Sequence, residues 1–222
     1  MSKNSLLEEL MAQPVLSKKM TVKQQKIVET AVKMFAEKGY ANTSTSEIAK
    51  AAGVAEGTIF RHYGTKDRLL LAVILPFIKE SLPSMAENVF QEVFSKDKSF
   101  EDFLRAFIKN RWQFLDENKE LFKVIVKELL YSEDLKHDLL PFFKDAVWNR
   151  LINVIDHFKN RGELLDLPSE TLLKMMFTVI AGSFVSDLVL FSNPSTPAKD
   201  EVIEAMIRFI MDGMSNKTPN DE

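Results

Sequence analysis

A cluster of hydroxyl-bearing and basic side chains occupies residues 44–66. Three hydroxyl residues stand in a row where a helix would begin, so their hydroxyls and the free N–H groups of that first turn suit a phosphate. Four further donors follow later and could contact a flanking phosphate backbone. Taken singly, each of these side chains is most often plain surface chemistry. The set comprises Ser44, Thr45, Ser46, Arg61, His62, Tyr63 and Lys66.

Glu56, Gly57 and Thr58 lie between these two groups. Thr58 could bond a base edge or touch a thymine methyl, and Glu56 could accept a hydrogen bond from cytosine N4. Gly57 costs about 1 kcal/mol of helix propensity relative to alanine, and close approach to a sugar-phosphate wall would explain it. The alternatives are a solvated acid at a helix start for Glu56 and a loose C-cap or chance for Gly57. For a single glycine, a C-cap or chance is the favoured explanation.

Charge is distributed unevenly along the chain. The net charge is −3, but residues 17–68 carry +5 and the remaining residues carry −8. Such asymmetry suggests that one end meets a polyanion, although a solvated basic face explains it about equally well.

The sequence contains few residues and no familiar motif that would indicate an enzyme or a metal site. There are no cysteines and three histidines (62, 137 and 157), and no H-E-x-x-H, P-loop or dinucleotide motif occurs. We therefore expect no catalytic site, cofactor or metal. The N-terminus lacks a signal-peptide pattern, and Asp187 interrupts the longest apolar run, 175–191. These features predict a soluble cytoplasmic protein.

The spacing of apolar residues predicts an all-α fold, because they recur every three and four positions. The first helix spans 21–38 and ends at Gly39, where a left-handed C-cap is expected. A capping box of Ser44 and Glu47 opens a short helix to residue 52. Gly53 closes it, and a further helix follows over 55–62. A helix, a short turn and a second helix form the helix-turn-helix arrangement, whose second helix lies in the major groove.

Longer helices follow. Thr65 caps the fourth, within which Pro76 and Pro83 predict a kink or an end. The pattern then predicts helices over 99–117, 119–130, 133–161, 168–192 and 198–214, with Gly162 ending the longest. We predict an N-terminal arm over 1–17, a DNA-binding domain over 18–68 and a helical regulatory domain over 69–222.

The stretch from Ala31 to Leu70, AVKMFAEKGYANTSTSEIAKAAGVAEGTIFRHYGTKDRLL, resembles the DNA-binding domain of the tetracycline-repressor (TetR) family of bacterial transcriptional regulators. The resemblance covers about residues 21–75 and implies a homodimer that binds double-stranded operator DNA. It differs from the family at Phe60, where tyrosine is common, and at Ala55, where a capping serine or threonine is common. Tyr63 could supply a hydroxyl instead. The positions that commonly meet DNA are Thr45, Ser46, Thr58, Phe60, Arg61, His62 and Lys66.

The same resemblance implies that the C-terminal helices enclose a ligand and form a dimer. An interior rich in aromatic residues and methionine would suit a bulky apolar or amphipathic effector, although a plain hydrophobic core explains most of these residues. The candidate pocket residues are Phe103, Phe107, Asn110, Trp112, Phe122, Trp148, Asn149 and Met175.

A stripe of small residues on the helix over 168–192 predicts the dimer interface, together with one face of the final helix. Packing within one chain is the alternative. The stripe comprises Thr178, Gly182 and Ser186, and the final helix adds Val202, Met206 and Phe209. The resulting hypothesis is a repressor that an effector releases from a palindromic operator through movement of the fourth helix. The rival classes are an enzyme and an all-α ligand carrier with a vestigial helix-turn-helix.

Overall fold

The computed structural model describes residues 20–94, 98–190 and 199–216, and the predicted arm over 1–17 lies outside them. The described residues form helices joined by short turns. The helices are α1 (Val22–Lys38), α2 (Thr45–Ala52), α3 (Glu56–Tyr63), α4 (Lys66–Val93), α5 (Phe100–Glu117), α6 (Lys119–Tyr131), α7 (Glu133–Phe143), α8 (Asn149–Asn160), α9 (Ser169–Val185) and α10 (Lys199–Met214). Within these residues the all-α prediction is confirmed.

Packing divides the chain into two compact units, and the boundary lies within α4. The first unit extends to Ser81 and includes Glu117–Leu139, whereas the second comprises Leu82–Asp116 and the residues from Leu140 onward. Helix α6 therefore belongs to the same unit as the helix-turn-helix. The domain boundary after residue 68 stays a prediction.

The first unit has a core of mostly aliphatic side chains, to which Phe35 and Phe77 add aromatic rings. Ile27 and Phe35 of α1, Ile48 of α2 and Ile59 of α3 are each no more than 1% exposed. Leu69 and its neighbours continue this core along the start of α4. Burial of such side chains contributes about 1.5–3 kcal/mol each, which is enough to fix three short helices against one another.

Neither proline ends α4, but the helix bends at Ser81, between Pro76 and Pro83, so the predicted kink is confirmed. A proline inside a helix costs roughly 3 kcal/mol. Leu69, Val73 and Phe77 are all buried along the same helix. Burial of these side chains offsets the local cost at Pro76, so the prolines bend the helix without ending it.

The second unit is built on an aromatic core. Phe100, Phe103 and Phe158 are almost completely buried, and their ring centroids lie 5.3–6.3 Å apart. Helix α9 packs against α8 and α10. The segment Ser169–Leu190 is long and apolar enough to span a membrane, but core helices of soluble proteins meet the same criterion.

Two of the predicted helices contain π-helical turns. The segment Lys144–Trp148 joins α7 to α8, and Ser186–Leu190 extends α9. A π turn inserts an additional residue into the helix, which a search for 3.6-residue periodicity does not detect.

Candidate nucleic-acid interface

Helix α2 begins at the predicted capping box. The Ser44 N–H donates to the Glu47 carboxylate at 2.9 Å, and the Glu47 N–H donates to Ser44 Oγ at 3.2 Å. The bonds that Ser44 donates to the Glu47 carboxylate, first from its backbone N–H and then from its hydroxyl, lower the pKa of Glu47. Because the Ser44 hydroxyl is used in the cap, Ser46, which is exposed, is the freer hydroxyl for a phosphate.

The turn between α2 and α3 is set by Gly53. Its backbone lies in the left-handed region (φ 68°, ψ 37°), which residues with a side chain rarely adopt. The N–H of Val54 then donates to the carbonyl of Ala49 at 3.0 Å. Helix α3 starts after Ala55 without a side-chain cap, as the sequence predicts.

Helix α3 has a buried face and an outer face. Ile59 is 1% exposed and holds the helix to the core, and Tyr63 lies one turn later on the same side. Arg61 and His62 are exposed on the outer side, and 49% of Phe60 is exposed. The outer face thus presents a cation, an imidazole and an aromatic ring.

Gly57 lies at the N-terminal end of this outer face. A Cβ atom placed on it would meet no atom within 4 Å, and its φ is not positive. It also lies in the first turn of α3, so the alternative of a C-cap is wrong. Neither the fold nor the backbone conformation requires glycine here, so close approach by another molecule and chance stay as the two explanations.

Glu56 is engaged within the protein. Its Oε1 accepts a hydrogen bond of 2.8 Å from the Thr45 hydroxyl, which joins the first turn of α2 to the first turn of α3. In this structure the pair therefore fixes the two helices relative to each other. A cytosine contact by Glu56 would have to share or replace that bond.

Lys66 is also used internally. Its ammonium donates to the carbonyls of Tyr40 and Thr43 at 3.0 and 3.1 Å and lies 4.2 Å from the centre of the Tyr40 ring. These bonds close the turn that precedes α2. The structure therefore favours a positioning role for Lys66 over the predicted phosphate contact.

The Tyr63 hydroxyl faces the interior. Its oxygen is buried and has no hydrogen-bond partner among the described residues, and this burial raises the pKa of the phenol. The suggestion that Tyr63 supplies a hydroxyl to DNA in place of the missing tyrosine at position 60 is therefore not supported, because the atom is enclosed by the fold.

The sequence analysis did not predict an ionic network that surrounds Asp67. One carboxylate oxygen accepts from the Tyr40 hydroxyl, and the other accepts from the Lys127 ammonium at 2.6 Å. Burial raises the pKa of Asp67, but the hydrogen bonds from Lys127 and Tyr40 outweigh it and hold the pKa below its usual range. Next to it, Arg68 Nε lies 3.9 Å from the Glu128 carboxylate. Two ion pairs thus hold α6 against the start of α4.

Comparison with known proteins agrees with this geometry. Residues 27–73 match the family model described as bacterial regulatory proteins, tetR family. The chain is 32% identical over 141 residues to the fatty acid metabolism regulator protein of Bacillus subtilis, covering 63% of this chain and 68% of the relative. The chain belongs to the TetR family.

A second relative is the HTH-type transcriptional repressor AcnR of Corynebacterium glutamicum, which is 28% identical over 189 residues, covering 84% of this chain and 91% of AcnR. Among solved structures, a regulator from Saccharomonospora viridis in complex with choline has a TM-score of 0.61 at 16% identity, covering 87% of this chain and 98% of the other. That likeness shows the fold alone. The predicted resemblance to the TetR family and the predicted fold class are confirmed, and the relatives are transcriptional regulators, which are not enzymes.

The predicted effector pocket is not assembled as the sequence suggested. Phe103 stacks on Phe107 in the core of the second unit, and Trp112 packs edge-on against Phe184 at 5.3 Å. Phe103 and Trp112 are buried, Phe107 is half-buried, and none of the three lines the groove described below. Of the others, Asn110 Oδ1 accepts from the Arg111 guanidinium, Asn149 is exposed, and Phe122 belongs to the first unit.

The second unit of this TetR-family chain does contain a groove of about 820 Å³. Trp148 and Met175 are the predicted pocket residues that line it, and it also includes Thr178 and Phe209 of the predicted dimer face. The remaining lining residues are Glu170, Thr171, Lys174, Met176, Val179, Ile210, Gly213 and Met214.

The predicted dimer face is partly corrected. Phe209 is 68% exposed, and a Cβ on Gly182 would meet no atom within 4 Å, so these positions face outward. Thr178 is exposed, whereas Ser186 and Val202 are half-buried. Met206 is 6% exposed and packs inside the protein. The prediction that Met206 lies in the interface is therefore wrong, because that side of α10 packs in the core.

Proposed function

We propose that the protein is a sequence-specific DNA-binding regulator of transcription, with α3 as its recognition helix. The observation that carries this proposal is the outer face of α3, where Gly57 is bare and Arg61, His62 and Phe60 are exposed around it. A helix whose backbone is open in its first turn can approach base edges, while a cation one turn later contacts phosphate.

The internal contacts support the same assignment. The Thr45–Glu56 bond fixes α3 relative to α2, and Lys66 closes the turn before α2. Groups that hold the two helices in one geometry reduce the cost of ordering them on DNA. The excess of positive charge in residues 17–68 would attract the phosphate backbone.

A symmetric dimer is the proposed active form. The exposed residues of α9 and α10 include Met175 (54%) and Phe209 (68%), with Gly182 and Gly213 open beside them. A second copy on this face would cover these apolar side chains and the groove that contains Met175 and Phe209. Two recognition helices about 34–36 Å apart would then bind a palindromic operator.

Control by an effector is the final part of the proposal. We suggest a repressor that resides in the cytoplasm and that an apolar or amphipathic molecule releases from DNA. One relative is named as a regulator of fatty acid metabolism, which is consistent with an effector of that class. Helix α4 continues from the first unit into the second. Effector binding in the second unit can therefore move α4 and, through it, α3. Decisive release needs roughly 5.5 kcal/mol of differential effector affinity between the two states.

The test is selection of binding sites from a pool of random DNA duplexes. The proposal predicts enrichment of a palindrome, one dimer per duplex in sedimentation, and an association constant that falls steeply with salt. A folded dimer that enriches no sequence at low salt would favour the ligand carrier instead. Mass spectrometry of molecules that co-purify with the protein tests the effector class.

A further inference from the structure

Phe60 differs in chemistry from its neighbours on the outer face of α3. Its ring is 49% exposed, whereas the adjacent apolar side chain, Ile59, is 1% exposed. In helical geometry Phe60 lies beside Gly57, three residues earlier, and next to Arg61 in sequence. The fold therefore keeps a large apolar ring in water beside the point where the helix backbone is most open.

A phenylalanine ring can neither donate nor accept a conventional hydrogen bond, so it cannot bind a phosphate oxygen or a polar base edge as tyrosine would. It gains free energy by covering apolar surface. In the major groove the apolar group of the bases is the 5-methyl of thymine, and phenylalanine is among the side chains that contact it. Because Gly57 has no side chain, α3 can come close enough for the ring to reach a base.

We propose that Phe60 contacts the 5-methyl group of a thymine in each half of the operator and thereby determines a position of sequence specificity. This inference rests on the proposed function of α3. It differs from a general stacking role, because a ring packed on deoxyribose would not distinguish thymine from uracil, which lacks only that methyl.

The test uses the duplex enriched by the wild-type protein, with thymines replaced by uracil one symmetric pair at a time. Loss of one buried methyl weakens binding about 4-fold, and loss in both half-sites weakens it about 15-fold. We expect one pair of positions to show this effect with the wild-type protein. The Phe60→Ala variant should lose that dependence, whereas Phe60→Tyr, which keeps the ring, should retain it. Thermal unfolding of both variants checks that the fold is preserved, as half-exposure of the ring leads us to expect.

The outcomes separate the two proposals. Enrichment of a sequence that shows no uracil effect above about 2-fold at any thymine, or a uracil effect that persists in Phe60→Ala, refutes the assignment of Phe60 and leaves α3 as the recognition helix. Enriched half-sites without thymine refute it as well. Failure to enrich any sequence refutes the proposed function itself, and this inference with it.

Discussion

Removal of the Tyr40 hydroxyl tests how the helix-turn-helix is held to the rest of its unit. The hydroxyl donates to Asp67, whose side chain is 20% exposed, while the second partner, Lys127, is 61% exposed. A hydrogen bond to a charged group in such a partly buried site stabilises by about 1.5–3 kcal/mol. An exposed ion pair contributes about 0.2–1 kcal/mol. The Tyr40 bond should therefore matter more than the Lys127 pair.

We expect Tyr40→Phe to lower the free energy of unfolding by about 1.5 kcal/mol and Lys127→Ala by about 0.5 kcal/mol. Asp67→Ala should cost about 3 kcal/mol, because it removes both bonds and leaves the Tyr40 hydroxyl unpaired. The double variant of Tyr40 and Asp67 should be no worse than Asp67→Ala alone, which gives an interaction energy of about 1.5 kcal/mol.

The assay is urea denaturation of all variants at one protein concentration, since dimerisation makes stability concentration-dependent. The pKa of Asp67 is lowered in the folded state, so its contribution is complete above the ordinary carboxyl value, about 3.9, and disappears as the pH falls through the folded value. An interaction energy below about 0.5 kcal/mol, or a larger loss for Lys127→Ala than for Tyr40→Phe, would refute this reasoning.

Three further predictions concern DNA binding and assembly. Arg61→Ala should weaken binding about 10-fold and reduce the slope of log K against log salt by about one per subunit, as measured by fluorescence anisotropy. Gly57→Ala should raise the free energy of unfolding by about 0.5 kcal/mol, because the added methyl meets open space, yet weaken DNA binding about 10-fold; unchanged binding would contradict the close approach. Phe209→Asp should shift the dimer to monomer in sedimentation, whereas Met206→Ala should cost about 2–5 kcal/mol of folding free energy; the reverse pattern would contradict the assigned faces.

Features encoded by neighbouring residues could be predicted from the sequence. Three such features depend on side chains within a few positions of one another. They are the capping box of Ser44 and Glu47, the left-handed turn at Gly53 and the hydrogen bond from the backbone N–H of Arg68 to the Thr65 hydroxyl. Gly39 has a positive φ as expected, but its ψ of 152° is not that of a left-handed cap. The direction of the chain after a helix depends on what the next element packs against.

Contacts across the fold could not be predicted in this way. Lys66 is predicted to contact phosphate because it is a basic donor and by the resemblance to the family, but its carbonyl partners lie 23 and 26 residues earlier in the chain. Asp67 carries only the signal of an acid in a first turn, and nothing in its neighbourhood indicates Lys127, 60 residues later. Only the packing of α6 against α4 brings those groups together.

The faces of the C-terminal helices show a similar limit. Periodicity placed Val202, Met206 and Phe209 on one stripe, but the stripe straddles the boundary between the core and the surface of α10. Which edge of a stripe is buried depends on the neighbouring helices. The sequence therefore grouped the buried Met206 with exposed residues, and the dimer face itself stays a prediction.

Cysteine protection offers the most direct test of the claim that α3 binds DNA. The chain contains no cysteine, so a single one can be placed at Thr58 on α3 and, as the control, at the exposed Glu37 on α1. The rate of maleimide alkylation is measured with and without saturating selected duplex. We predict that DNA slows alkylation of Thr58→Cys about 10-fold or more, corresponding to at least about 1.4 kcal/mol of protection, and leaves Glu37→Cys unchanged. Equal rates at position 58 with and without bound DNA would contradict the account.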